Sequence, residues 1–384
     1  MPPVFDVFRR FLWLGCLSFG GPAAHIGYFR QTFVQQLQWL DERSYANLVA
    51  LSQFLPGPGS SQVGFALGLR RAGLAGGLAA FAGFTLPSFV LMLILASVGA
   101  SALNTGMTGV IAGLKLLAVV VVADAVVSMY RSFCRDGLTL GIMLLTAMTL
   151  WLLPGLWTQL GVLLAAALAG MSVRGRAPDA VRTAAVPMPV RDWRWPLGLF
   201  LLLFALTLVP GPDWSRLFAA FFQAGSLVFG GGHVVLPLLE QLLGDQLSTD
   251  RFLTGYAAAQ AVPGPMFTLA TFLGAELAPD HAFVGALVAT LGIFLPGFLL
   301  VLALQGRWER LAARPQVAGA VAGINAAVVG LLLAALYVPV FRSAVTEPLH
   351  MALVLGGYVL LTRLGVPVVA LVSGFAVTGW LVLA

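Results

Sequence analysis

Apolar runs long enough to cross a bilayer recur from one end of this 384-residue chain to the other. A spanning helix needs about 20 predominantly apolar residues. Segments of that kind fall near 8–27, 47–69, 74–99, 108–130, 137–153, 157–172, 196–210, 215–239, 253–275, 282–304, 317–340, 348–363 and 365–384. Charge is correspondingly scarce: 21 basic and 15 acidic side chains make up 9% of the residues, against about 25% in a typical soluble domain. So few charges cannot build a water-facing surface. Soluble enzymes, DNA-binding domains and disulfide scaffolds are excluded, and the chain reads as an all-α polytopic membrane protein.

The net charge of +6 does not point to nucleic acid, because the arginines punctuate apolar segments. They report orientation instead. With the N-terminus in the cytoplasm, sixteen arginines fall on the inner side and only Arg30, Arg43, Arg216 and Arg342 on the outer. A basic stretch from Ser172 to Trp195, with Arg174, Arg176, Arg182, Arg191 and Arg194, reads as a cytoplasmic linker. In the loop 28–46, Phe29, Phe33, Leu37 and Leu40 share one helical face, as an amphipathic helix at the membrane interface requires. No cleavable signal peptide is evident, and Cys16 and Cys134 have no metal-ligand spacing.

The chain repeats itself. Gly15-Cys16-Leu17-Ser18-Phe19-Gly20-Gly21 returns as Gly225-Ser226-Leu227-Val228-Phe229-Gly230-Gly231. Gln53-Phe54-Leu55-Pro56-Gly57-Pro58 returns as Gln260-Ala261-Val262-Pro263-Gly264-Pro265, Leu86-Pro87 as Leu295-Pro296, and Ala112-Gly113-Leu114-Lys115 as Ala322-Gly323-Ile324-Asn325. The expected organisation is a first transmembrane repeat over 1–172, the linker over 173–195, a connecting transmembrane helix over 196–210 and a second repeat over 211–384. Each repeat holds about six spans. Seven crossings separate equivalent points, an odd number, so the repeats enter the bilayer with inverted topology. That symmetry is a transporter architecture, in which discontinuous helices meet at the repeat interface.

The repeated motifs are helix breaks. Gly20 and Gly21 relax the backbone, and Pro22 suits the first turn of a new helix because its missing N–H would be unpaired there. Such a start offers free N–H groups and a positive dipole end to an anion. Gly230, Gly231 and Gly232 do the same in the second half. Pro56, Gly57 and Pro58 form another break, followed by Ser60 and Gln62, whose polar groups can donate to an oxyanion. Pro263, Gly264 and Pro265 are its counterpart. The alternative is that these glycines permit close helix packing and the prolines merely kink; paired breaks in both halves favour a transport site.

Lys115 is the sole lysine and lies inside a span, with the neutral Asn325 as its counterpart. A buried ammonium either attracts an anionic substrate or serves an internal salt bridge or proton coupling. His25 and His233 closely follow the two glycine-rich breaks, where each either donates to an anion, carries a proton or is a satisfied core histidine. No metal-ligand cluster and no phosphate-binding Gly-Lys-Ser/Thr loop is present, so no cofactor, metal or enzyme activity is expected.

Ser18-Phe19-Gly20-Gly21-Pro22-Ala23-Ala24-His25 and Leu55-Pro56-Gly57-Pro58, with Phe229-Gly230-Gly231-Gly232-His233 and Val262-Pro263-Gly264-Pro265, resemble the chromate ion transporter family in its long two-domain form. The resemblance covers both halves. It implies secondary active export of chromate across the bacterial inner membrane, conferring chromate resistance and driven by the proton motive force. The partners implied are chromate, sulfate as its competitor or alternative, protons as coupling ion, and membrane lipid. A homodimer is compatible with this; nucleic acid is not a partner. An oxyanion channel and a membrane-embedded chromate reductase are the alternative classes, and the second lacks a visible redox-cofactor site.

Overall fold

A computed structural model describes residues 3–19, 21–102, 108–172, 193–229, 232–306 and 314–383. Most of the linker, with Arg174, Arg176, Arg182 and Arg191, lies outside the described residues, as do Gly20, Gly230 and Gly231.

The long helices of the first half are α1 (Pro3–Leu17), α2 (Gly21–Phe29), α3 (Glu42–Phe54), α4 (Gly59–Ala102), α5 (Thr108–Phe133), α6 (Gly137–Leu152) and α7 (Leu156–Ser172). Then come α8 (Arg194–Leu206), α9 (Asp213–Leu227), α10 (Val235–Leu243), α11 (Thr249–Ala261), α12 (Leu269–Leu277), α13 (Ala282–Leu304), α14 (Pro315–Ala335), α15 (Pro348–Thr362) and α16 (Val368–Val382). No strand occurs among the described residues.

Among the described residues, four helical stretches are long and apolar enough to cross a membrane: Gly59–Val98, Thr108–Phe133, Pro279–Leu304 and Pro315–Ala344. The first is two helices, since Ala72 and Gly73 leave the helical region, with Gly73 at φ +64°. The chain folds back there so closely that a Cβ on Gly68 would collide with the Gly76 backbone. Gly274 and Gly285 make the equivalent approach between α12 and α13. Four of the spans read from sequence are split into helix pairs. These are 8–27 (α1 and α2), 47–69 (α3 and the start of α4), 215–239 (α9 and α10) and 253–275 (α11 and α12). The split falls on the Gly- and Pro-rich motifs each time. Outward leucines such as Leu78, Leu86, Leu145 and Leu152 remain exposed by the protein itself, as a lipid-facing surface requires.

By contacts the chain forms two compact units, and each draws on both halves of the sequence. Met1–Ser97, Val181–Val235 and Val262–Leu311 make the first; Val98–Ala180, Leu236–Ala261 and Ala312–Ala384 make the second. In the first unit α13 packs along α9 and against α8, and Phe65 stacks on Phe298 with ring centres 4.5 Å apart. Phe29 and Phe33 are fully buried there around Phe11. This corrects the interfacial-helix expectation for 28–46: Arg30–Gln36 continues α2 as a π-helical turn, which returns Phe33 to the core. In the second unit α14 lies along α6 and α7, and α16 along α5. Small residues permit it: Gly323 meets the Ala166 carbonyl, and Gly113 meets Phe375 and Gly379, the close backbone approach usual between membrane helices.

Candidate functional site

Both first-half breaks lie in the first unit, and each is fastened to a second-half break of the same unit. Beyond the end of α1, the Ser18 carbonyl accepts the Gly264 amide at 2.9 Å. Beyond the end of α9, the Val228 carbonyl accepts the Gly57 amide at 2.7 Å. Ser18 and Val228 are equivalent in the repeat, as are Gly57 and Gly264, so the two bonds are one contact made twice. Glycine is required at both donors. Gly57 has φ +117° and Gly264 φ +97°, conformations that L side chains rarely adopt. A Cβ on Gly57 would lie 3.1 Å from the Gly297 Cα, and one on Gly264 would lie 2.9 Å from Ser88 Oγ.

Pro58 ends the first Pro-Gly-Pro break and α4 starts at Gly59. Gln62 is bonded to the Pro58 carbonyl at 2.9 Å, so the amides of Gly59, Ser60 and Ser61 precede the helical ladder and have no intrahelical acceptor. The Gln62 side chain locks the turn: Nε2 donates to the Pro56 carbonyl at 2.8 Å and approaches the Gly297 carbonyl at 3.4 Å. His25, fully buried on α2, reaches Ser60 Oγ through Nδ1 at 3.2 Å and the Ser18 carbonyl through Nε2 at 3.2 Å. Phe84 stands edge-on to its ring at 5.1 Å. Among the described residues, Ser18 Oγ, Ser61 Oγ, Gln62 Oε1 and Thr85 Oγ1, each in or next to a residue of this network in sequence, are buried without a hydrogen-bond partner. Buried polar groups are ordinarily bonded; the three hydroxyls are donors left unused, whereas Gln62 Oε1 can only accept.

The second-half break is more self-contained. Thr268 gives both its amide (3.0 Å) and its hydroxyl (2.8 Å) to the Pro265 carbonyl. Gly232 begins a short turn with His233 and packs on Met266, and Pro263 is buried. Pro22 sits in the first turn of α2 behind Gly21, whose φ is +74°.

Gly21, Pro22, His25, Pro56, Gly57, Pro58, Ser60 and Gln62 all lie in the first unit, as do Gly232, His233, Pro263, Gly264 and Pro265. Lys115 and Asn325 belong to the second unit. Lys115 Nζ donates to Asp250 Oδ1 at 2.7 Å, two turns into α5, and the Asp250 side chain is 60% exposed. Asn325 is buried, and its Oδ1 accepts no hydrogen bond from the described residues. Sequence reasoning did not single out Thr85, Ser88 or Asp250. The first two adjoin the repeated Leu86-Pro87 landmark, which was a usable signal; nothing in the pattern marked Asp250.

Chemically the first-half breaks offer donors and no net charge. No Asp, Glu, Lys or Arg occurs in 15–29, 53–69, 225–239 or 260–275. Backbone amides, hydroxyls and a helix start can hold an anion without a fixed cation.

These features define a polytopic helical membrane protein with broken helices paired across an internal repeat. A family model described as chromate transporter matches residues 5–171 and 215–380, one stretch in each half. The chain belongs to the chromate transporter family. It is 30% identical over 392 residues to a chromate transport protein of Pseudomonas aeruginosa, covering 98% of this chain and 92% of the relative. It is 27% identical to an uncharacterised transporter of Methanocaldococcus jannaschii, covering 78% and 75%. A chromate transport protein of Cupriavidus metallidurans is 28% identical, covering 88% and 83%. No solved structure matches the chain.

Proposed function

We propose that this protein is a secondary active exporter of chromate in the bacterial inner membrane, with its N-terminus in the cytoplasm, and that sulfate competes for the same site. The observation that carries the reading is the paired fastening of the breaks, Ser18 to Gly264 and Val228 to Gly57, beside orphaned buried hydroxyls and a free helix start. The names of the Pseudomonas and Cupriavidus relatives support chromate as the substrate. A tetrahedral dianion suits backbone amides and hydroxyls that carry no fixed charge.

Expelling a dianion from a negative-inside cell is favoured by about 4.6 kcal/mol per 100 mV for two charges, enough to drive export and confer resistance. Chromate and sulfate flux in inverted vesicles, with and without an imposed potential, tests this. Saturable accumulation with counterflow is the expected result. Unsaturable flux makes the protein a channel, and reduced chromium among the products makes it a reductase.

A further inference from the structure

We propose that His25 and Ser60 form a proton-linked switch, in which a proton taken up by His25 frees the Ser60 hydroxyl to donate to a bound oxyanion. This rests on the oxyanion reading above and names the residue through which protons join it.

The hydrogen positions follow from the partners. The Ser18 carbonyl can only accept, so His25 Nε2, 3.2 Å away, carries a hydrogen. In the neutral ring Nδ1 is then a lone pair, and Ser60 Oγ, also 3.2 Å away, must donate to it. A serine hydroxyl has one hydrogen. While it points at His25, Ser60 offers only lone pairs to anything else, and an anion's oxygens are repelled. One proton added to Nδ1 reverses the bond: Nδ1–H donates to Ser60 Oγ, and the Ser60 hydrogen turns to the anion. The Nε2 bond to Ser18 is kept throughout.

The surroundings call for such compensation. The segments that carry His25 and Ser60 contain no charged side chain, and a dianion in a dry site is costly unless its charge is met. The groups facing His25 are Ser18 beyond α1, and Ser60 and Phe84 on α4. On α3, Tyr45 is the nearby titratable group, and its hydroxyl is committed to the Ile26 carbonyl at 2.6 Å. Arg30, farther along, is exposed and paired with Glu42. The second half lacks the hydroxyl partner at the equivalent place: repeat spacing puts Phe267 where Ser60 stands, and Thr268 spends its hydroxyl on Pro265. The His25–Ser60 pair accounts for one proton per dianion.

Sulfate is the probe, because it stays a dianion around neutral pH whereas chromate itself takes up a proton there. Calorimetric binding to the whole purified protein, in buffers of different ionisation enthalpy, counts protons. Wild type is expected to take up close to one proton per sulfate above neutral pH, with affinity rising about tenfold per unit fall in pH. His25→Gln keeps a donor for Ser18 but cannot titrate, so its weaker binding should be flat with pH and proton-free. Ser60→Ala should bind weakly with reduced linkage, and Ser60→Thr should restore both. Sulfate binding without proton uptake in wild type, or uptake that persists in His25→Gln, overturns the switch. If wild type binds neither sulfate nor chromate, the oxyanion reading itself has failed.

Discussion

Gly57 donates its amide to the carbonyl of Val228 at 2.7 Å, although the two residues lie in different halves of the sequence. The bond from Gly264 to Ser18 repeats it with the halves exchanged. Each Pro-Gly-Pro turn is therefore held by a residue two places before the other half's glycine-rich break. An ordinary kink needs no such partner. The left-handed backbone at both glycines is what aims the two amides across the repeat.

Gly57→Ala and Gly264→Ala should each cut chromate transport at least tenfold while the protein still inserts. Forcing a side chain into this conformation costs about 1–3 kcal/mol, and the crowding at Gly297 and Ser88 adds to it. Vesicle flux normalised to membrane-inserted protein measures the effect. Normal flux in both variants would reduce the turns to packing devices.

Lys115 and Asp250 should behave as a pair. Lys115→Met and Asp250→Asn are each expected to lower stability modestly, by about 1 kcal/mol or less, because one partner is largely solvent-accessible. The double charge exchange, Lys115→Asp with Asp250→Lys, should recover most of the loss in detergent melting experiments. An Asp250→Asn protein that binds chromate more tightly, matched by a Lys115→Met protein that binds it weakly, would instead assign the ammonium to the substrate.

Helix content and the positions of the breaks were legible because Gly and Pro carry their conformational meaning locally. Gly21, Gly57 and Gly264 are left-handed where the motifs said the chain must turn. Partnership was not legible. His25 and Ser60 are 35 residues apart, and Lys115 and Asp250 are 135 apart; only tertiary packing brings them together. Phe29 and Phe33 show a second limit: an apolar stripe reads the same whether it meets lipid or, as here, Phe11.

The turns at Ala72–Gly73 and Ala278–Pro279 occupy equivalent places in the two halves. Inverted repeats would put them on opposite sides of the membrane. With Cys16 and Cys134 replaced by serine, Ala72→Cys and Asp280→Cys should react with an impermeant thiol reagent from opposite faces. Labelling from one face would sink the inverted topology.

Asp136 caps α6, accepting from the Thr139 amide at 2.9 Å while Thr139 Oγ1 receives the Asp136 amide. The bond from the Thr139 amide holds the Asp136 carboxyl below the usual carboxylate range. A group lowered on folding stabilises above its unfolded pKa, about 3.9, and that contribution is lost as pH falls through the folded value. Asp136→Ala should cost about 1 kcal/mol at neutral pH. Asp136→Asn should cost less and melt with a flatter pH dependence between about 5 and 3, since the amide does not titrate there.

The orphaned hydroxyls give the last test, because stability and transport should move in opposite directions. Ser61 Oγ and Thr85 Oγ1 are buried and have no hydrogen-bond partner among the described residues, so the folded state bears their desolvation, about 1–3 kcal/mol for an unsatisfied group. Ser61→Ala and Thr85→Val remove the polar atom and nearly keep the shape. Each variant should melt at the wild-type temperature or above it. Each should also lose chromate affinity, about tenfold or more for one hydrogen bond of about 1.5–3 kcal/mol to a charged group. A packing residue would show the reverse, a lower melting temperature with binding intact. A drop in both would mean that the hydroxyls have partners within the protein, and the anion would then rest on the amides at the start of α4.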